Sequence, residues 1–348
     1  MRGKIKVFDF FCGCGGTSAG LKAAGMDIVA ALDVDKNAAA TYKLNFPEVK
    51  FFRRKIQHFK TSDLQDLVSG CGSSPILFSA CAPCQPFTKQ KCEKPENDER
   101  RHLLRELHRF VKRYAPHYIF IENVPGLQKV SDKDGPFSDF LQFLTSQGYS
   151  YDKGVVISSH YGVPQVRSRL VLLASRIGPI SLPEATHGDG EGLAPLVNVW
   201  DTINDLPAIE AGETHPEVKN HRAAQLSALN LERIKATPVG GGRLDWPEHL
   251  KLECHKKHTG HTDVYGRLVK YRPAPALTTR CISLSNGRYG HPEQHRAISV
   301  REAASIQTFP RDFEFLGNLN SQAVQIGNAV PVALARAFGE HIINQSAK

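Results

Sequence analysis

The chain has 348 residues, 41% hydrophobic and 23% charged, enough for one large or two moderate domains with a real core. It holds no apolar run of about 18 residues and no low-complexity tract, which excludes a helical membrane span and a fibrous or disordered chain. A net charge of +9 with a pI near 9.1 favours polyanionic partners, nucleic acid first, but does not separate these from a generally basic soluble enzyme.

The opening MRGKIKVFDFFCGCGG meets a glycine turn after a short apolar stretch and lacks the core of a signal peptide, so it reads as a strand. Eight cysteines then imply free thiols in a reducing, cytoplasmic compartment. Residues 4–11, 27–34, 75–80, 117–124, 154–159 and 169–175 are short apolar runs that read as strands. Helical patterns lie between several of them. Residues 100–114 place Leu103, Leu104, Leu107, Phe110 and Val111 on one face, and 135–148 is an amphipathic stretch closed by Gly148. The alternation predicts an α/β fold with a mostly parallel sheet covered on both faces. From about 176 to 280 the chain turns rich in Pro, Gly, His and charge, which predicts a smaller, loop-rich module. Helical periodicity returns at 299–309 and 330–343, with Pro331 near the start of the last helix.

Four short motifs fall at predicted strand ends. Phe11, Gly13, Gly15 and Gly16 follow the first strand and open a helix, and Asp33 ends the second. That pattern suits an adenosine-like cofactor, with backbone near the ligand and a carboxylate for ribose hydroxyls, although tight-turn glycines alone would look similar. Cys81-Ala82-Pro83-Cys84 follows the run 75–80. It could be a redox pair, half of a zinc site or a lone nucleophile. Prolines 83 and 86 disfavour the helical redox form, and the only second ligand set, Cys254, His255, His258 and His261, lacks zinc-finger spacing. No metal is expected. Cys84, beyond the strand and between prolines, is where a nucleophile would be exposed. Glu122 and Asn123 end another buried run, where a carboxylate is costly unless paired or working. Arg167 and Arg169, two apart, precede the last strand and would point to one side in extended chain.

In this order the motifs resemble those of the DNA (cytosine-5) methyltransferases, over about 330 residues. FDFFCGCGG resembles that family's S-adenosylmethionine loop, APCQPF its catalytic Pro-Cys motif, and ENV and QVRSR its base-binding and arginine motifs. SVREAASIQTFP and QIGNAVP resemble its two C-terminal motifs. The resemblance implies a Rossmann-like S-adenosylmethionine-dependent methyltransferase sheet with a smaller, loop-rich target-recognition domain. The expected division is 1–180 catalytic and cofactor-binding, 181–300 target recognition, and 301–348 C-terminal helices, the last returning to the first domain.

It further implies Cys84 as nucleophile, Glu122 near cytosine nitrogen 3, Arg169 on the ring carbonyl, and Arg167 on phosphate or loop groups. Phe11, Gly13, Gly15, Gly16 and Asp33 would hold the adenosine, and Asn328 the methionine end. Gln85, Arg100, Leu103, Thr278, Thr279 and Arg280 are the expected DNA contacts; the first three belong to the segment that closes over DNA, the loop 85–100 and the residues just after it, and the others to a recognition stretch at 186–285. Two positions depart from the family pattern. Lys55 or Gln57 stands where an acidic residue often meets the adenine amino group, and Arg101 makes the loop holding Lys89, Lys91, Lys94 and Arg100 unusually basic. The expected partners are double-stranded DNA and, without a stable complex, a cognate restriction endonuclease; the expected state is a monomer. A thiol redox protein, a non-catalytic DNA-binding relative and an RNA-modifying branch are the rival readings. That RNA branch carries a Cys-Phe-Thr signature absent here.

Overall fold

The computed structural model describes residues 3–82, 103–125, 135–253, 260 and 262–346. The chain divides into two compact units. The first holds Met1–Ile157, Ser168–Ala185 and Val330–Lys348, the second Ser158–Arg167 and Thr186–Ala329.

The first unit contains β1 (Lys6–Phe10), α1 (Gly16–Ala23), β2 (Asp27–Asp33), α2 (Lys36–Asn45), β3 (Lys50–Arg53), α3 (Gln65–Ser69) and β4 (Ile76–Ala80). It continues with α4 (Leu103–Tyr114), β5 (Tyr118–Asn123), α5 (Pro136–Ser146) and β6 (Ser150–Ile157). Its strands form one sheet with β8 (Ser168–Ser175), in the order β3-β2-β1-β4-β5-β8-β6. Strands β1 to β5 run parallel to one another, whereas β8 is antiparallel to both β5 and β6. All residues of β4 (ILFSA) and β5 (YIFIEN) are buried, as central strands covered on both faces require. Leu104, Leu107, Phe110 and Val111 of α4 are buried in the core with Phe10 and Phe78, whose rings lie 5.3 Å apart edge to face. Strand β3, only four residues long, is absent from the sequence-based expectation, and β6 begins four residues earlier than expected.

The parallel register sets Phe10, Asp33, Ala80 and Glu122 at carboxyl ends of neighbouring strands. Because β8 runs the other way, its first residues share that edge: Asn123 pairs with Leu170 and Glu122 with Val171. Reversal of this one strand is what brings Arg169 to the end of β5.

The second unit has little regular structure. Strand β7 (Gln165–Val166) pairs in parallel with β9 (Ala274–Pro275), and the helices are α6 (Val199–Ile203), α7 (Ala228–Ala236), α8 (Val300–Ile306) and α9 (Leu319–Asn328). The last helix, α10 (Val332–Ser346), belongs to the first unit and packs on α1. Ser299 caps α8 reciprocally with Glu302, whose carboxylate also takes both Nη groups of buried Arg296 at 2.7 Å. Loop carbonyls that no ladder satisfies are met by buried arginines. Arg267 donates to the carbonyls of Thr237, Ile234, His291 and Gln294, and Arg301 to those of Lys219 and Phe313.

Candidate active site

The turn after β1 is built from left-handed backbone. Phe11 (φ 60°), Gly13 (φ 54°) and Gly15 (φ 105°) all have positive φ, and Gly16 is the first residue of α1. Gly15 is fixed twice, since a Cβ there would also stand 2.5 Å from the Phe46 ring. Gly13 differs: a Cβ there would meet nothing within 4 Å, so the loop leaves open space above it. Phe11 is half-buried against the core.

Asp33 closes this turn from β2. Its Oδ2 accepts the Gly13 N–H at 2.8 Å and its Oδ1 the Asp35 N–H at 2.9 Å. Burial pushes the Asp33 carboxyl up, and the N–H groups of Asp35, Gly13 and Val34 oppose that rise. A carboxylate offers about four acceptor positions, so capacity remains for ligand hydroxyls. The open space, the left-handed turn and this carboxylate fit an adenosine-bearing cofactor. Lys55 and Gln57 are both exposed.

Beneath the turn lies a group that the sequence reading passed over. Asp9 is 1% exposed, and its Oδ2 accepts the Ser18 hydroxyl at 2.6 Å, which in turn lies 2.8 Å from the Tyr42 hydroxyl. Burial pushes the Asp9 carboxyl up to about 7; the hydrogen bond from Ser18 opposes the rise and the charge of Asp33 adds to it. An acidic residue inside an otherwise apolar strand was the available signal.

Cys81 is a free, half-buried thiol whose Sγ lies 3.4 Å from Thr17 Oγ1; burial first, then the charge of Glu122, pushes the thiol up. Cys84, Gln85 and Arg100 lie outside the described residues, as do Lys89, Lys91, Lys94, Arg101, Cys254, His255, His258 and His261. Among the described residues no cluster of His, Cys, Asp or Glu is placed to hold a metal ion.

At the end of β5, Glu122 Oε1 accepts Arg169 Nε at 2.6 Å, and Arg169 Nη1 donates to Ser168 O at 2.8 Å. The next residue, Asn123, donates from Nδ2 to Ala82 O at 3.1 Å and accepts the Val124 N–H at 2.7 Å. Asn123 was quoted in the sequence motif without a task; here it ties β5 to the chain two residues before Cys84. The structure thus brings Glu122 and Arg169 together at one strand end, with the link to the Cys84 segment beside them.

Arg167, expected on phosphate or loop groups, holds loop carbonyls here. Its buried guanidinium sits in the second unit and donates to Leu277 O at 2.6 Å and Gly327 O at 2.8 Å. Leu103, expected on DNA, opens α4 half-buried against the core, because it continues that helix's apolar face. In the second unit Arg280 is exposed, Thr278 and Thr279 are half-buried, and Thr278 Oγ1 accepts the Arg280 N–H at 3.2 Å. Asn328, the last residue of α9, is exposed.

A family model of C-5 cytosine-specific DNA methylases matches residues 5–344. The chain is 38% identical to the type II methylase M.HgiDII of Herpetosiphon aurantiacus, over 97% of this chain and 94% of that one. It is 30% identical to the type II methyltransferase M1.HphI of Haemophilus parahaemolyticus, over 98% and 87% of the two chains. The fold is shared with a candidate DNA modification methyltransferase encoded in an Escherichia coli prophage, at a TM-score of 0.77 and 21% identity over 99% of this chain and 100% of that one. The chain therefore belongs to the C-5 cytosine-specific DNA methylase family and is a DNA (cytosine-5) methyltransferase.

Proposed function

We propose that the enzyme transfers a methyl group from S-adenosylmethionine to carbon 5 of a cytosine flipped out of a specific short duplex DNA sequence, through a covalent bond to Cys84. The observation that carries this reading is the Glu122–Arg169 pair at the end of β5, adjacent to the Asn123 link to Ala82.

When bound, S-adenosylmethionine supplies an electrophilic methyl group on a sulfonium. Phe11, Gly13, Gly15, Gly16 and Asp33 would hold its adenosine, and Asn328 its methionine end. Carbon 5 of cytosine is a weak nucleophile, so a sulfur anion must first add at carbon 6. That is the role of Cys84. Addition places negative charge on the ring, and Glu122, after taking a proton from solvent, donates it in a hydrogen bond to nitrogen 3 and stabilises that charge. Arg169 already spends Nε on Glu122 and Nη1 on Ser168 O; its remaining N–H groups are assigned to the ring carbonyl, adding fixed positive charge where it is needed. Loss of the carbon-5 proton to solvent and departure of the Cys84 sulfur restore the aromatic ring.

Flipping the base out of the duplex costs a few kcal/mol. Phosphate contacts by the basic stretch holding Lys89, Lys91, Lys94, Arg100 and Arg101 offset it. Recognition is assigned to the second unit, through Thr278, Thr279 and Arg280, with Gln85 and Leu103 beside the flipped base. The type II names of the relatives support a restriction-modification setting with a cognate endonuclease as functional partner. The methyltransferase is assigned a monomeric state in the cytoplasm.

The test is mechanism-based trapping. A duplex carrying 5-fluorocytosine should become attached through residue 84, whereas Cys84→Ala should bind duplex DNA and transfer no tritiated methyl group. Transfer without trapping, or transfer to RNA in preference to duplex DNA, would overturn the reading. Bisulfite sequencing of host DNA expressing the chain then reads out the recognition sequence.

A further inference from the structure

One guanidinium in the second unit holds two carbonyls, each preceding a residue of proposed function. Arg167 Nη1 bonds Leu277 O at 2.6 Å and Nη2 bonds Gly327 O at 2.8 Å. Leu277 leads into Thr278, Thr279 and Arg280, the segment assigned to DNA; Gly327 leads into Asn328, assigned to the cofactor. The two segments also press on each other directly. A Cβ on Gly327 would stand 2.3 Å from Thr278 O, so only glycine permits this approach of backbone to backbone.

Two buried glutamines complete the frame. Gln165 Oε1 accepts the Leu277 N–H at 2.8 Å, and its Nε2 donates to Gln307 Oε1 at 2.9 Å. Gln307 Nε2 in turn donates to Ile326 O at 2.7 Å, one residue before Gly327. A buried polar network of this kind rigidifies the segments it joins, since moving either one breaks bonds that water cannot replace.

We propose that Arg167 is a positioning residue that couples cofactor binding at Asn328 to DNA binding at Thr278–Arg280. The proposal rests on the functional reading given above for those two segments. A ligand that fixes Asn328 fixes Gly327, and through the shared guanidinium and the Gly327–Thr278 contact it fixes the DNA-side segment. By linkage the effect is reciprocal: DNA strengthens cofactor binding by the factor with which cofactor strengthens DNA binding. The planar fork of arginine spans both carbonyls, whereas a lysine ammonium is a compact point charge that cannot match it.

The experiment measures duplex-DNA affinity of the full chain by fluorescence anisotropy, with and without S-adenosylhomocysteine, in the wild type and in Arg167→Lys. Wild-type affinity should rise by about fivefold or more with the cofactor product. In Arg167→Lys that ratio should fall to within about twofold of unity, although both ligands still bind singly. An unchanged ratio in the variant, or a ratio of one in the wild type, overturns the coupling. Should the variant not fold, hydrogen exchange on the wild type decides: S-adenosylhomocysteine alone should slow exchange at 276–281, and no slowing there overturns the proposal. A wild type that binds neither ligand overturns the functional reading itself, a result distinct from binding without coupling.

Discussion

Glu122 and Arg169 form an ion pair of 2.6 Å in which the two side chains are only 10% and 12% exposed. Two adjacent, oppositely directed strands create it, and neither group could be left alone at that depth without a cost of several kcal/mol. Glu122→Gln keeps the shape and a hydrogen bond to Arg169 but removes the ionisable oxygen. Single-turnover methyl transfer should fall by roughly 10²–10⁴-fold, the usual contribution of a positioned acid or base. Arg169→Met should cost about 3–5 kcal/mol in urea unfolding, since it strands the carboxylate, and the double variant should recover part of that loss. A Glu122→Gln enzyme turning over at the wild-type rate would remove Glu122 from the chemistry.

Asn123 bonds Ala82 O and the Val124 N–H, so it joins the end of β5 to the segment entering the Pro-Cys loop. Asn123→Asp exchanges the donor facing Ala82 O for an acceptor. Transfer rate should drop at least tenfold while S-adenosylhomocysteine affinity, measured by calorimetry, stays within about threefold of wild type, because a lost bond to an uncharged partner shifts geometry by only a few kcal/mol. Equal losses in both quantities would mean that the residue supports the whole sheet edge and not the loop alone.

The sheet and most of its edge were legible because strands β1, β2, β4, β5 and β8 are largely apolar, with Asp33 at the end of β2, Glu122 and Asn123 at the end of β5 and Arg169 near the start of β8. Strand β3 was not, since KFFR is four residues of which the outer two are charged and exposed. Spacing suggested that Arg167 and Arg169 share a side, yet their guanidiniums serve different partners: Arg169 meets Glu122, and Arg167 meets Leu277 and Gly327. Sequence periodicity carries no record of contacts made across 110 and 160 residues. The net charge was likewise ambiguous. Arg233, Arg243, Arg267, Arg296 and Arg301 are buried and donate to backbone carbonyls, so this part of the basic composition braces loops and does not face a polyanion.

Helix α1 meets α10 at Gly20, where a Cβ would lie 2.5 Å from both Ala335 Cβ and Val332 O. One of those atoms is backbone and cannot move aside alone. Gly20→Ala gains helix propensity worth about 1 kcal/mol but should lose more by overpacking, for a net destabilisation of roughly 1–2 kcal/mol. The check is the denaturant midpoint, which should fall without a change in slope. A higher midpoint would show that the two helices can separate at little cost.

Asp9 makes stability depend on pH in a direction opposite to that of most carboxylates. Its carboxyl is held near 7 in the folded chain against 3.8 as the ordinary value, chiefly by burial. Between these limits the unfolded chain has released the proton and the folded chain has kept it, so unfolding releases a proton and stability falls as pH rises. Above about 7 both states are ionised and the loss is complete. Asp9→Asn retains an oxygen for the Ser18 hydroxyl and carries no proton to lose. Its stability relative to wild type should therefore rise by about 2–3 kcal/mol from pH 5 to pH 8, two units of separation at ~1.4 kcal/mol each. Urea unfolding of both proteins at the two pH values measures this difference directly. A constant difference would mean that Asp9 is ionised in the folded chain at both, with its charge balanced inside the Ser18–Tyr42 network.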